Sequence, residues 1–257
     1  MDNGDSPSRL FDGAVLRDAR IRGSDLRGLE IRDCEIDGLR IVDSLGATVS
    51  ISGALGAVIV EGVDVTDHVR AVLDARHPGR RESRDAVTAD DFRTAWRLVQ
   101  DRWEALLKDL REAPAARAHG SVDGEWSLLE TLRHLRFAAD AWIGTAILSE
   151  ASPHHPWGLP PGGTPQRIMD QLALDPAARP DLAQVLEMRA ARHADVERVL
   201  AELTEQELDR VCDRSPGPGY PEREYRVRRC LQVVVTEEVE HLRYAQRDLA
   251  VLAQAGS

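Results

Sequence analysis

The chain has 257 residues and a formal net charge of -11, with 44 acidic residues against 33 lysines and arginines. That balance excludes a nucleic-acid backbone as the main partner, since proteins that bind one carry a basic patch or stripe, and no apolar run approaches the roughly 20 residues that span a bilayer. The N-terminus, Met1-Asp2-Asn3-Gly4-Asp5-Ser6-Pro7, lacks the basic and apolar segments of a secretory signal. Three cysteines without CxxC spacing (Cys34, Cys212, Cys230) fit a reducing compartment and supply neither a disulfide framework nor a thiolate zinc site. The expected location is the cytoplasm. All basic residues except Lys108 are arginine, which fits a GC-rich genome.

Residues 1–8 are expected to be a flexible tail. From Phe11 onward every fifth residue is large and apolar: Phe11, Leu16, Ile21, Leu26, Ile31, Ile36 and Ile41, resuming at Ile51 after Gly46. Two positions before these lie small residues such as Ala14, Ala19, Ser24, Cys34, Ser44 and Ala54. Neither a helix nor a flat strand has a period of five. The register resembles the pentapeptide-repeat family, which implies a short right-handed quadrilateral β-helix over residues 9–66 with the large and small positions inward. Cys34 would then be a packing residue. So few repeats give only two to three coils, a stub whose open ends need capping. Such a stub suits a scaffolding, capping or dimerising role, with a homodimer as the simplest partner.

Residues 67–87 are charged, carry the Pro78-Gly79 breaker, and are expected to form a short helix followed by a linker. The rest, residues 88–257, carries four amphipathic stretches. The first, about Thr88 to Ala113, opens on an acidic turn and places Phe92, Trp96, Val99, Trp103, Leu106 and Leu110 on one stripe. The second runs from Ser127, whose partner Glu130 completes a capping box, to about Leu148. The third covers about Pro180 to Leu203 and the fourth about Tyr225 to Ala253. Four such helices predict an up-down four-helix bundle with its functional side chains facing inward. Two connections, residues 149–165 and 213–223, are long and rich in proline and glycine, as binding loops often are.

On the fourth helix Glu237 and His241 stand four residues apart and share a face. A carboxylate and an imidazole so placed could grip one divalent ion, and His134 on the second helix is the candidate third ligand, with His119 the runner-up. Two imidazoles and one carboxylate leave coordination positions open, as catalytic sites require. A solvated helix face beside Glu238 and Glu240 is the plainer explanation of the pair. His154, His155 and Trp157, after the second helix, are candidates for the mouth of a site, and Arg133, Arg136, Arg226, Arg228 and Arg229 for pairing with an anionic ligand. His193 is assigned to a polar face, and Asp140 and Trp142 to the shaping of the bundle.

The pattern Gly124-x-Trp126-Ser127-x-x-Glu130-x-Leu132-x-His134-Leu135, followed by the pair ending in His241, resembles the DinB-like superfamily of metal-dependent four-helix bundles over about Thr88 to Ala253. That resemblance implies His134, Glu237 and His241 as ligands of a divalent ion, commonly zinc. Many members carry histidine where this chain has Glu237, and glutamate there resembles the mycothiol-dependent maleylpyruvate isomerase branch. What it implies is a metal-dependent S-transferase or isomerase that joins a low-molecular-weight thiol to a small electrophile. A non-enzymatic metal-binding or interaction module, and metal-activated water chemistry without a thiol, stand as the alternatives.

Overall fold

The computed structural model describes residues 11, 13–32, 34–53, 55–111 and 116–255. The tail expected at residues 1–8, the small-position residue Ala54 and Ala113 at the end of the first expected helix lie outside them. Two units divide the chain, residues 1–49 and residues 50–257.

In the first unit the five-residue register appears as turns. Left-handed backbone recurs at Gly13, Asp18, Gly23, Gly28, Gly38 and Asp43, each two places after a large apolar residue. The Leu26 and Ile36 carbonyls each accept the N–H three residues on at 3.0 Å. The expected β-helix is nevertheless absent among the described residues. No strand is paired within this unit, and Phe11, Leu16, Ile21, Leu26, Ile31 and Ile41 are 47 to 68% exposed instead of pointing inward. Cys34 is exposed too. A coil is stabilised by coils stacked above and below it, and the bonds formed here are local: Arg27 pairs with Asp25 and Arg32 with Glu30.

The second unit opens with a hairpin, β1 (Ile59–Val60) antiparallel to β2 (Val63–Asp64). Its turn residues Glu61 and Gly62 both have positive φ, the geometry whose twist suits a two-residue hairpin. Where the sequence suggests a helix and then a linker, two helices form, α1 (Thr66–Arg76) and α2 (Arg80–Asp85). α2 lies against the C-terminal helix, with Arg80 Nε donating to Glu240 at 2.8 Å and Ser83 Oγ 3.3 Å from Thr236 Oγ1.

α3 (Ala89–Arg111), α5 (Leu128–Ala139), α7 (Leu182–Glu202) and α9 (Val227–Ala255) are the long helices, with the short α4 (Ala116–His119), α6 (Gln166–Gln171) and α8 (Glu205–Asp209) between them. α5 continues as a π-helical segment, Asp140–Ile147. Among the long helices α3 packs on α9 and, less extensively, on α7, with α2 also against it, while α5 packs on α7 and α9. α3 and α5 therefore lie diagonally, as do α7 and α9, while α5 and α7 are neighbours, in place of the simple up-down order. Longer connections permit that crossing. Phe92, Trp96, Val99 and Trp103 are buried as their spacing predicts.

Ser127 caps α5: its hydroxyl accepts the Glu130 N–H at 3.3 Å while Glu130 Oε2 accepts the Ser127 N–H at 2.9 Å. The cap fixes where α5 begins, and so which residues turn toward α9.

Candidate metal centre

His134 is buried on α5, and Glu237 and His241 are half-buried on α9. One ligand atom from each lies within 4.8 Å of the others. Glu237 Oε2 is the common neighbour, 3.5 Å from His134 Nε2 and 3.3 Å from His241 Nδ1. The ring centroids of the two histidines are 5.0 Å apart.

The donor set fits a divalent ion. The Nδ1 of His134 faces the Leu159 carbonyl oxygen at 3.0 Å, an outer partner of the kind that orients a ligand imidazole, and its Nε2 is turned toward Glu237. His241 Nδ1 lies 3.0 Å from its own helix's Glu237 carbonyl. Burial alone would push the Glu237 carboxyl up, but the hydrogen bond with His134 and the charges of both imidazoles hold it below the usual range. Burial, with His134 beside it, pushes the His241 imidazole down. Anionic carboxylate and neutral imidazole are the forms that bind metal.

Aromatic rings wall the trio. Trp126 tilts over His134 with centroids 4.7 Å apart and lies parallel to His241 at 6.3 Å. Tyr244 meets His241 edge-on at 6.2 Å. Tyr220, on the 213–223 loop, packs edge-on against Trp142. Burial and then the Glu237 charge push its phenol up to about 12, so the proton stays on. The same loop borders an open cavity of about 430 Å³ lined by Thr145, Gln171, Arg214 and Tyr220 among others. Tyr220 carries no motif and sits in a proline-rich loop, so only the fold brings it here.

The other sequence candidates have structural work. His154 packs on Phe137 at 5.4 Å, and Phe137 lies beside His134. His155 accepts the Trp157 N–H at Nδ1, and its own N–H donates to Asp140. Arg133 is buried and donates to the carbonyls of Trp157, Asp175, Pro176 and Ala178. Arg136 and Arg192 both donate to the buried Asp140. Arg226 binds the Asp209 carbonyl and Arg228 the Val87 carbonyl, while Arg229 is exposed. Arg133 and Arg136 thus meet backbone and carboxylate partners inside the protein. His119 is exposed at the end of α4.

Glu238 is not on a solvated face. It is buried, paired with the buried Arg189 and 3.4 Å from His193 Nε2. His193 accordingly faces inward, edge-on to Trp96 at 5.1 Å. The acid-rich run of α9 is divided among three neighbours: Glu237 to α5, Glu238 to α7, Glu240 to α2.

A family model described as the DinB superfamily matches residues 95–245, more than half of the chain. The chain belongs to the DinB superfamily. No curated protein and no solved structure matches it. DinB-superfamily proteins are in general metal-dependent, and the trio lies inside the matched span.

Proposed function

We propose that this DinB-superfamily protein binds one divalent ion, zinc in the first instance, through His134, Glu237 and His241, and uses it to join a low-molecular-weight thiol to a small electrophile. The observation that carries the reading is the convergence of two imidazoles and one carboxylate from α5 and α9, each histidine with Nδ1 at a backbone carbonyl. An ion bound there lowers the pKa of a thiol or water in an open position. Trp126 and Tyr244 offer apolar surface beside the trio, limiting water. Tyr220 keeps a proton near Glu237 and is the chain's own candidate to donate a hydrogen bond to a developing anion. Glu237 resembles the glutamate of the mycothiol-dependent maleylpyruvate isomerase branch, and that likeness supports mycothiol as the thiol.

The test is metal analysis of chelator-free protein, followed by thermal shift with mycothiol, bacillithiol and glutathione. About one ion per chain is expected, lost in His134→Ala and in His241→Ala, with a shift for mycothiol. A metal-free wild type overturns the reading. Metal without any thiol shift moves it to activated-water chemistry.

The first unit supports a separate role as a partner surface, because aliphatic residues recurring every fifth position stand exposed and exposed apolar surface marks interaction sites. Self-association through those residues is the simplest form, and light scattering of the full chain beside one lacking residues 1–49 tests it.

A further inference from the structure

Cys212 and Cys230 are both buried, and their Sγ atoms lie 3.8 Å apart across 18 residues of sequence. The backbone around them is pinned. Cys212 N–H donates to the Tyr225 carbonyl at 2.8 Å and Val227 N–H to the Arg210 carbonyl at 3.0 Å, flanking an antiparallel bridge of Val211 with Arg226. This holds the sulfurs near van der Waals contact, where a disulfide at about 2.05 Å needs side-chain rotation with little backbone movement. No CxxC spacing announces the pair, because one thiol sits at the root of a loop and the other on a helix.

We propose that Cys212 and Cys230 form a reversible redox modification site, closing to an intramolecular disulfide with a hydroperoxide as oxidant. Cys212 attacks the peroxide, the O–O bond breaks, and Cys212 sulfenic acid and one water form. The Cys230 sulfur then attacks the Cys212 sulfur and the hydroxyl leaves with a proton as a second water. Two thiols and one hydrogen peroxide give one disulfide and two waters; a dithiol reductant reverses it. Cys212 is the attacking member: a hydrogen bond from Cys230, followed by the Arg210 charge, holds its thiol below the usual range against burial, while the same bond and burial push Cys230 up.

The site bears on the metal centre. Cys230 precedes Glu237 by seven residues and His241 by eleven, so it shares their face of α9, roughly 10 Å from Glu237 and roughly 16 Å from His241 along the axis. Cys212 starts the loop that carries Tyr220. A disulfide there ties that loop to the metal-bearing helix.

The experiment uses the full chain with Cys34→Ser, which removes the exposed third thiol. Folded protein is treated with a few equivalents of hydrogen peroxide, alkylated with N-ethylmaleimide after unfolding, and weighed by mass spectrometry. A loss of about 2 Da, no alkylation at either cysteine and a linked Cys212–Cys230 peptide are expected, all restored by dithiothreitol. Additional Cys230→Ala or Cys212→Ala abolishes the loss. Two alkylated cysteines after peroxide, or stable gains of one or two oxygens without a link, overturn the proposal, and both outcomes are read on the single variant.

Discussion

The imidazole of His134 is oriented by a loop: its Nδ1 lies 3.0 Å from the Leu159 carbonyl oxygen. Arg133, one residue earlier, holds that loop with its side chain on the Trp157 carbonyl at 2.8 Å and its own carbonyl on the Leu159 N–H at 3.2 Å. A single turn of α5 thus supplies the ligand candidate and the clamp on the group that orients it.

Arg133→Met should therefore weaken metal binding although the Arg133 side chain ends on loop carbonyls and is no ligand candidate. Partners that orient a ligand typically account for about 10- to 100-fold in affinity. Competition against a chromogenic chelator measures it, with circular dichroism to confirm that α5 persists. Unchanged affinity would show that Leu159 does not govern His134.

The buried pair of Arg189 and Glu238 yields a stability prediction. Glu238→Leu leaves a guanidinium buried without its partner, which costs about 3–5 kcal/mol. Adding Arg189→Met should recover most of that, because an apolar pair of similar volume needs no desolvated charge. Urea unfolding of the two variants decides it; a double variant as unstable as the single one would mean the pair is net stabilising.

Much of the bundle was legible because burial has a period. The stripe from Phe92 to Leu110 and the Ser127–Glu130 cap place the starts of α3 and α5 within a residue or two, and the stretch expected to Leu148 is completed by the π-helical segment. Glu237 and His241 were legible as a pair because i and i+4 share a face. The five-residue register was visible as well, yet a period says that positions repeat and not that they close on one another, and these residues stay exposed. The burial of Glu238 carried no signal for a related reason: one acidic run faces three neighbours, and only packing separates them. The diagonal order of the helices, Tyr220 and the Cys212–Cys230 contact depend on loops, which carry no periodic signal.

Acid should unfold the protein through its histidines before its carboxylates titrate. Burial pushes His77, His154, His155 and His193 all below the usual imidazole value. Arg136 and Arg192 add to this at His154 against Asp140, and Arg189 adds to it at His193 against Glu238 and Glu197. The folded state binds fewer protons than the unfolded one, so stability is full above about pH 6.5 and declines as pH falls through the lowered values. Thermal unfolding of chelator-treated protein from pH 8 to 5 should show Tm falling mainly below pH 6.5, less steeply in His154→Phe. A flat profile down to pH 5 would contradict the burial of these rings.

Glu237 bears the most weight, and its removal separates a ligand from a bystander. Glu237→Gln keeps the size and places a neutral amide oxygen where the carboxylate stands 3.5 Å from His134 Nε2. If Glu237 binds the ion directly, affinity should fall by more than about 100-fold, beyond the range of outer partners. Glu237→His puts a third imidazole where the carboxylate stands, so it should regain metal while losing the mycothiol-dependent shift. A Gln variant that binds as tightly as wild type removes Glu237 from the centre, and the thiol assignment goes with it.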